Sequence, residues 1–259
     1  MSEKVRIFFP IDVSWEDEAR RILDEVADYV DIGKVGLELM HNIGTPKAIN
    51  IPKEYGLEVM ADAKLIDIPP TVAGGIGGIV SHRVSYVNLM ACGARKMIQE
   101  AVAEAREKAQ KLKIERPKLI AVTVLTSLGF GDLIDLGIIP PADWEFPKNE
   151  EEEQSFITYI ALKWAQIAVD SGVDVLLASP KEVKAFNENF PDKEFICPGI
   201  RPPWSEPDHQ KRKMTPYEAV KAGARNLVIG TPIREPKGMT RAEAAQRIRD
   251  DIDRALAEL

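Results

Sequence analysis

Leu57-Glu58-Val59-Met60-Ala61-Asp62-Ala63-Lys64-Leu65-Ile66-Asp67-Ile68-Pro69-Pro70-Thr71 runs from an apolar strand, through a charged end, into a helix start. Leu57 to Ala61 reads as a short buried strand. Side chains alternate along a strand, so Asp62 and Lys64 are expected to share one face. Desolvating opposite charges at the end of a buried strand costs several kcal/mol each, so their presence demands a reason. Asp67 adds a second carboxylate just beyond, and Pro69 and Pro70 suit the first turn of a helix. Taken alone, a structural ion pair holding a loop explains these charges as well as a reactive group does. The rest of the chain decides between them.

The same unit, an apolar strand followed by a helix, recurs on both sides. Strands are expected at Val5–Asp12, Val30–Gly36, Leu57–Ala61, Val84–Met90, Leu119–Thr126, Val173–Ala178, Glu194–Pro198 and Asn226–Gly230. Helices are expected after Ser14 (an N-cap), near Thr45–Ile51, and over Thr71–His82, Ala94–Leu112, Phe156–Ser171, Lys181–Asn189, Thr215–Ala222 and Thr240–Leu259. Near-continuous apolar strands alternating with helices suit a parallel sheet covered on both faces. Eight such units in 259 residues predict an α/β fold, a single-domain (β/α)8 TIM barrel over residues 1–259. The rival doubly wound sheet lacks its Gly-rich dinucleotide fingerprint after the first strand. One connection, about residues 127–152, is long, Gly- and Pro-rich, and ends in the acidic run Glu150–Glu153, which reads as a solvated helix N-terminus.

Composition narrows the function classes. A formal net charge of −7 argues against a nucleic-acid binder and against an anionic-membrane binder. No apolar run is long enough to span a bilayer and no signal peptide precedes the first strand, so a cytoplasmic location is expected. Cys92 and Cys197 have no metal-ligand spacing and read as buried free thiols. His41, His82 and His209 avoid the strand ends, so none is assigned as a general base. Met40, Met60 and Met90 read as core.

Asp12, Lys34, Asp62, Lys64 and Thr126 all fall at the C-terminal ends of expected strands, the rim where such barrels carry their active sites. Charges converging from several strands favour a functional reading over a set of unrelated ion pairs. Pro198-Gly199-Ile200-Arg201 after strand seven and Ile229-Gly230-Thr231-Pro232 after strand eight supply the loops that commonly grip a phosphate.

On these residues the chain resembles the orotidine 5′-phosphate decarboxylase family, and the resemblance extends over essentially its whole length. Asp62-x-Lys64-x-x-Asp67-Ile68-x-x-Thr71 matches the family signature. Support comes from the Asp12 strand, Lys34-Val-Gly, Thr123-Val-Leu-Thr126-Ser127, Pro198-Gly-Ile-Arg201, Asp208-His-Gln210 and Ile229-Gly230. Gly131-Asp132-Leu133 in the long connection is similar to the bacterial branch. The resemblance implies decarboxylation of orotidine 5′-monophosphate to UMP without cofactor or metal, in a homodimer with shared sites. It implies that Lys64 stabilises and protonates the carbanion at C6, with Asp62 beside the departing carboxylate. Asp67 and Lys34 would orient the charges, with Asp67, Ile68 and Thr71 coming from the other subunit. Asp12 would hold a ribose hydroxyl and Thr126 the pyrimidine. Pro198, Arg201, Gln210, Gly230 and Thr231 would line the base and phosphate end.

Two positions depart from the family pattern. Pro70 stands where Asn is usual, and Thr231 stands directly after the glycine of strand eight, where Arg is usual. A phosphate dianion favours a charge-assisted partner. Arg234, one helical turn on, and Arg201 are therefore candidates to supply it. Sister barrels that use Mg²⁺ for sugar-phosphate decarboxylation or aldol chemistry carry Glu in place of Lys34, and a lysine there repels a divalent cation. A catalytically silent nucleotide-binding barrel is the other alternative, and the retained Asp62, Lys64 and Asp67 speak against it.

Overall fold

A computed structural model of the chain describes residues 4–138, 147–205 and 214–259. Eight parallel strands close into a barrel in sequence order. They are β1 (Arg6–Pro10), β2 (Ile32–Gly36), β3 (Glu58–Leu65), β4 (Tyr86–Met90), β5 (Lys118–Val122), β6 (Val175–Leu177), β7 (Glu194–Cys197) and β8 (Asn226–Val228). The seam is closed by β1 pairing with β8, Phe8 opposite Val228. The helices around it are α1 (Glu16–Val26), α2 (Leu37–Ile43), α3 (Thr45–Glu54), α4 (Pro69–Val80), α5 (Ala94–Leu112), α6 (Phe130–Asp135), α7 (Glu150–Asp170), α8 (Val183–Asn189), α9 (Pro216–Lys221), α10 (Thr231–Arg234) and α11 (Arg241–Ala257).

Two cores follow from the period of two along each strand. One face of the strands packs against the helices. The other fills the barrel with Phe8, Ile32, Met60, Tyr86, Ile120, Val175, Ile196 and Val228, one side chain from every strand. This layer leaves no pore. One pleat further along β2, β3 and β4 the inward positions become Lys34, Asp62 and Asn88, and these are buried as well. Below the layer, at the N-terminal ends of the strands, the floor is polar and paired. Arg6 donates to the Tyr86 hydroxyl at 2.7 Å and to Glu58 at 2.5 Å, Tyr86 donates to Glu194 at 3.3 Å, and Lys118 pairs with Glu194.

Several local expectations are corrected. Ser14 does not cap α1: its hydroxyl donates to Glu38 at 2.7 Å, and Trp15 takes the cap position with no side-chain bond. β5 ends at Val122, so Thr126 lies beyond it in a turn. α7 starts at Glu150, ahead of its apolar pattern, because the Asn149 side chain accepts from the Glu152 N–H at 2.9 Å and the acidic run complements the helix dipole. Cys197 is buried, but Cys92 is exposed, in the 3-10 turn Ala91–Gly93 after β4. Met40 and Met60 are core residues, while Met90 is half-buried at the strand end. Among the described residues no helix is long and apolar enough to cross a membrane.

Candidate functional site

At the C-terminal rim, β1, β2 and β3 deliver a row of alternating charges. Lys34 Nζ lies 2.7 Å from Asp62 Oδ2 and 3.3 Å from Asp12 Oδ1. Lys64 Nζ lies 2.6 Å from Asp62 Oδ1. The order is therefore Asp12, Lys34, Asp62, Lys64. Gly36 makes room for it, since a Cβ there would meet Asp12 Oδ1 at 2.9 Å. The Lys34 and Asp62 side chains are only 10% and 9% exposed, whereas Lys64 and Asp12 are 35% and 40% exposed toward the mouth. A deep pair thus holds two outer groups that a bound molecule can touch.

Electrostatics keeps the deep pair ionised. Burial alone would raise the Asp62 carboxyl, but the Lys34 and Lys64 ammonium groups and the bonds they donate hold it well below the usual carboxylate range. Burial would likewise lower Lys34, and the carboxylates of Asp62 and Asp12 outweigh it and raise the group instead. The Lys34 ammonium stands between the two carboxylates, where a cation would otherwise be drawn. Among the described residues no group of three or more His, Cys, Asp or Glu side chains could hold a metal ion.

Asp62 and Lys64 do not converge by simple alternation. Ala61 pairs with Val87 and Leu65 with Leu89, so Asp62, Ala63 and Lys64 together stand opposite Asn88. This is a bulge, and Lys64 takes a left-handed φ of 45° within it. Asn88 occupies the gap: Lys64 N–H donates to its Oδ1 at 2.7 Å, and its Nδ2 donates to Asp62 Oδ1 at 2.6 Å. Reading only strand ends missed Asn88. The available signal was an amide in the apolar run Tyr86-Val87-Asn88-Leu89-Met90, at the position that alternation turns inward.

The remaining candidates fall in three places. Asp67, Ile68 and Thr71 are exposed between β3 and the first turn of α4, and Asp67 Oδ1 accepts from the adjacent Ile68 N–H at 2.6 Å. They do not join the charge row of their own chain. Thr126 lies past β5, and the buried hydroxyl on that side belongs to Thr123, which donates to the Leu177 carbonyl at 3.1 Å. Pro198 and Arg201 follow β7, with Gly199 at φ 85° letting the chain turn, and Arg201 Nη1 donating to the Ile200 carbonyl at 2.8 Å. Gly230 and Thr231 follow β8. Arg234 turns its guanidinium back toward the rim, Nη1 at 4.0 Å from Asp12 Oδ2, with Nε on Glu235 at 2.9 Å. Gln210 and His209 lie outside the described residues. His41 is exposed, on α2, and His82 half-buried, just past α4.

The profile of the "Orotidine 5'-phosphate decarboxylase / HUMPS family" matches residues 6–248. Among curated proteins the chain is 38% identical over 251 residues to orotidine 5′-phosphate decarboxylase of Moorella thermoacetica, covering 95% of this chain and 93% of that one. It is 34% identical over 259 residues to the protein of that name from Heliobacterium modesticaldum, covering 99% of each. Among solved structures it is similar to orotidine 5′-phosphate decarboxylase from Lactobacillus acidophilus, with TM-score 0.76 and 26% identity over 96% of this chain and all of that one.

Proposed function

The chain belongs to the orotidine 5′-phosphate decarboxylase / HUMPS family, and from that membership we propose how its charge row works. The protein catalyses decarboxylation of orotidine 5′-monophosphate to UMP and CO₂, a step of pyrimidine biosynthesis. The observation that carries the reading is the Lys64 ammonium at 2.6 Å from an Asp62 carboxylate that stays ionised. Loss of CO₂ from C6 leaves an electron pair on a ring carbon. A fixed ammonium in a water-poor pocket stabilises that pair electrostatically and then delivers a proton to it. Asp62 flanks the substrate carboxylate, so charge repulsion there is relieved as CO₂ leaves. Lys34 holds Asp62 and Asp12 in place, and Asp12 receives a ribose hydroxyl.

Thr126 and Pro198 border the pyrimidine in this reading, with Gln210 beside it. The Gly230 and Thr231 amides, Arg201 and Arg234 hold the phosphate. Binding energy from that remote end supports closure over the reacting centre. The working unit is a homodimer in the cytoplasm: Leu37, Ile66 and Ile68 stand exposed in the connections after β2 and β3, beside the outward-facing Asp67 and Thr71. Exposed apolar residues grouped with unused polar ones suit a partner surface. Through it Asp67, Ile68 and Thr71 complete the neighbour's site.

The deciding test is ultraviolet-monitored turnover of orotidine 5′-monophosphate with a metal chelator present, for the wild type and for Lys64→Ala. Turnover should persist with chelator and fall to near the detection limit in the folded variant. A variant that retains wild-type rate would remove Lys64 as the proton donor.

A further inference from the structure

Lys64 is held in a conformation that lysine does not choose. The left-handed region crowds the Cβ of an L-residue, and only surrounding structure keeps a side chain there. The bulge also takes the Lys64 N–H off the β3–β4 ladder, since three residues of β3 face one residue of β4. Asn88 answers both problems. It is fully buried on β4 and opposite Ile120 of β5, with Tyr86 one pleat below and Asp62 and Lys64 across from it. Its amide has one satisfying orientation: the backbone N–H of Lys64 can only donate, so it meets the carbonyl oxygen, and the ionised Asp62 can only accept, so it meets the NH₂. The Asp62 oxygen that receives this NH₂ also receives the Lys64 ammonium.

We propose that Asn88 is the positioning residue of the site, an amide clamp that closes both ends of the bulge and thereby seats the Lys64 ammonium on Asp62. This rests on the reading of Lys64 as proton donor. Asn88 is itself fully buried and acts through Lys64 and Asp62. Its removal should therefore lower kcat and leave KM nearly unchanged.

A pH profile separates this role from plain packing. In Asn88→Asp, a protonated carboxyl offers the same pair of groups as the amide, a C=O for Lys64 and an O–H for Asp62. Once ionised it loses the donor and places a second negative charge against Asp62. The charged groups facing it are Asp62 and Lys64 from β3 and, behind Asp62, Lys34 from β2; its β5 neighbour Ile120 is apolar. The two carboxyls share one proton, which leaves as pH rises. In Asn88→Ser the hydroxyl is too short to reach both partners at any pH.

At about pH 8, kcat should fall roughly 10–100-fold in both variants, the loss expected from leaving buried polar groups unpaired. On acidification toward about pH 5, Asn88→Asp should recover relative to wild type and Asn88→Ser should not. Asn88→Ser within about threefold of wild-type kcat, or an Asn88→Asp-to-wild-type ratio that does not change with pH, overturns the clamp. If the wild type itself fails to decarboxylate orotidine 5′-monophosphate, the functional reading falls while the clamp stays testable. Crystals of Asn88→Ser should then show Lys64 leaving the left-handed region and its ammonium leaving Asp62, and an unmoved Lys64 overturns the clamp.

Discussion

At the scale of single residues, the proposed phosphate grip falls to Thr231 and Arg234 together. Thr231 offers a neutral hydroxyl and a backbone N–H. Arg234 reaches back across the β1–β8 seam until its guanidinium stands 4.0 Å from Asp12. A charge-assisted hydrogen bond is worth about 1.5–3 kcal/mol, or roughly 10–100-fold in affinity. Arg234→Ala is therefore expected to raise KM for orotidine 5′-monophosphate by about that factor and to leave turnover of orotidine, which has no phosphate, unchanged. Adding Thr231→Arg to Arg234→Ala should recover the loss. Equal effects on nucleotide and nucleoside would place Arg234 with Asp12 and the ribose instead. Both residues became candidates through the resemblance, because Thr231 directly follows the glycine of β8 where the family usually carries Arg, and Arg234 stands one helical turn on. Asn88 showed only as an inward amide in an apolar run, because what it bonds depends on a register shift in β3 that β4 itself does not record.

At the scale of elements, the strands and most helices followed from apolar periodicity, and the misplaced ends have separate causes: α7 starts early at its own Asn149 cap. Where a side chain found a distant partner, the local preference lost: Ser14 turned to Glu38 and left the cap of α1 empty. α2 had no signal strong enough to set it apart from the connection after β2, being short and led by Gly36. Packing between elements makes a sharper prediction. A Cβ added to Gly33 on β2 would stand 2.5 Å from Pro52 Cβ, a ring fixed within α3. One added to Gly77 on α4 meets the carboxylate end of Glu104, which can swing away. Gly33→Ala should destabilise by about 1–3 kcal/mol through overpacking. Gly77→Ala should be neutral or stabilising by up to about 1 kcal/mol, the helix preference for alanine. Urea unfolding of the two variants measures this, and equal midpoints would mean that α3 does not rest tightly on β2.

At the scale of the whole molecule, the barrel was legible because its unit repeats eight times, whereas the lock that closes it was not. Arg249 on α11 donates to the Tyr29 carbonyl, to the Val5 carbonyl and to Asp31, at 2.7, 3.2 and 2.5 Å, tying the last helix to the first strands. Burial would raise the Asp31 carboxyl, but Lys4, the Ile7 N–H and Arg249 together hold it below its ordinary value. A depressed carboxylate contributes stability that is complete above its unfolded pKa, about 3.9, and is lost as pH falls through the folded value. Arg249→Met should thus cost about 2–3 kcal/mol near neutrality, and the gap from wild type should narrow on acidification below about pH 4 as the Asp31 part is lost. A gap unchanged in acid would mean that the lock rests on packing and the carbonyl bonds and not on the Asp31 charge. Association makes the other large-scale prediction. If Asp67 works across an interface, mixing inactive Lys64→Ala with inactive Asp67→Ala subunits restores part of the activity. No recovery after proven subunit exchange would count against the shared site.

The paired floor beneath Tyr86 has a bearing on traffic. With Arg6, Glu58, Lys118 and Glu194 paired under a filled barrel, the N-terminal end offers no passage between the described residues. In the proposed roles the carboxylate points down toward Asp62 and the phosphate up toward the loops after β7 and β8. The gas would then be born at the closed end, beneath the nucleotide. On those roles departure has an order built into the walls, with CO₂ slipping past a product that leaves after it.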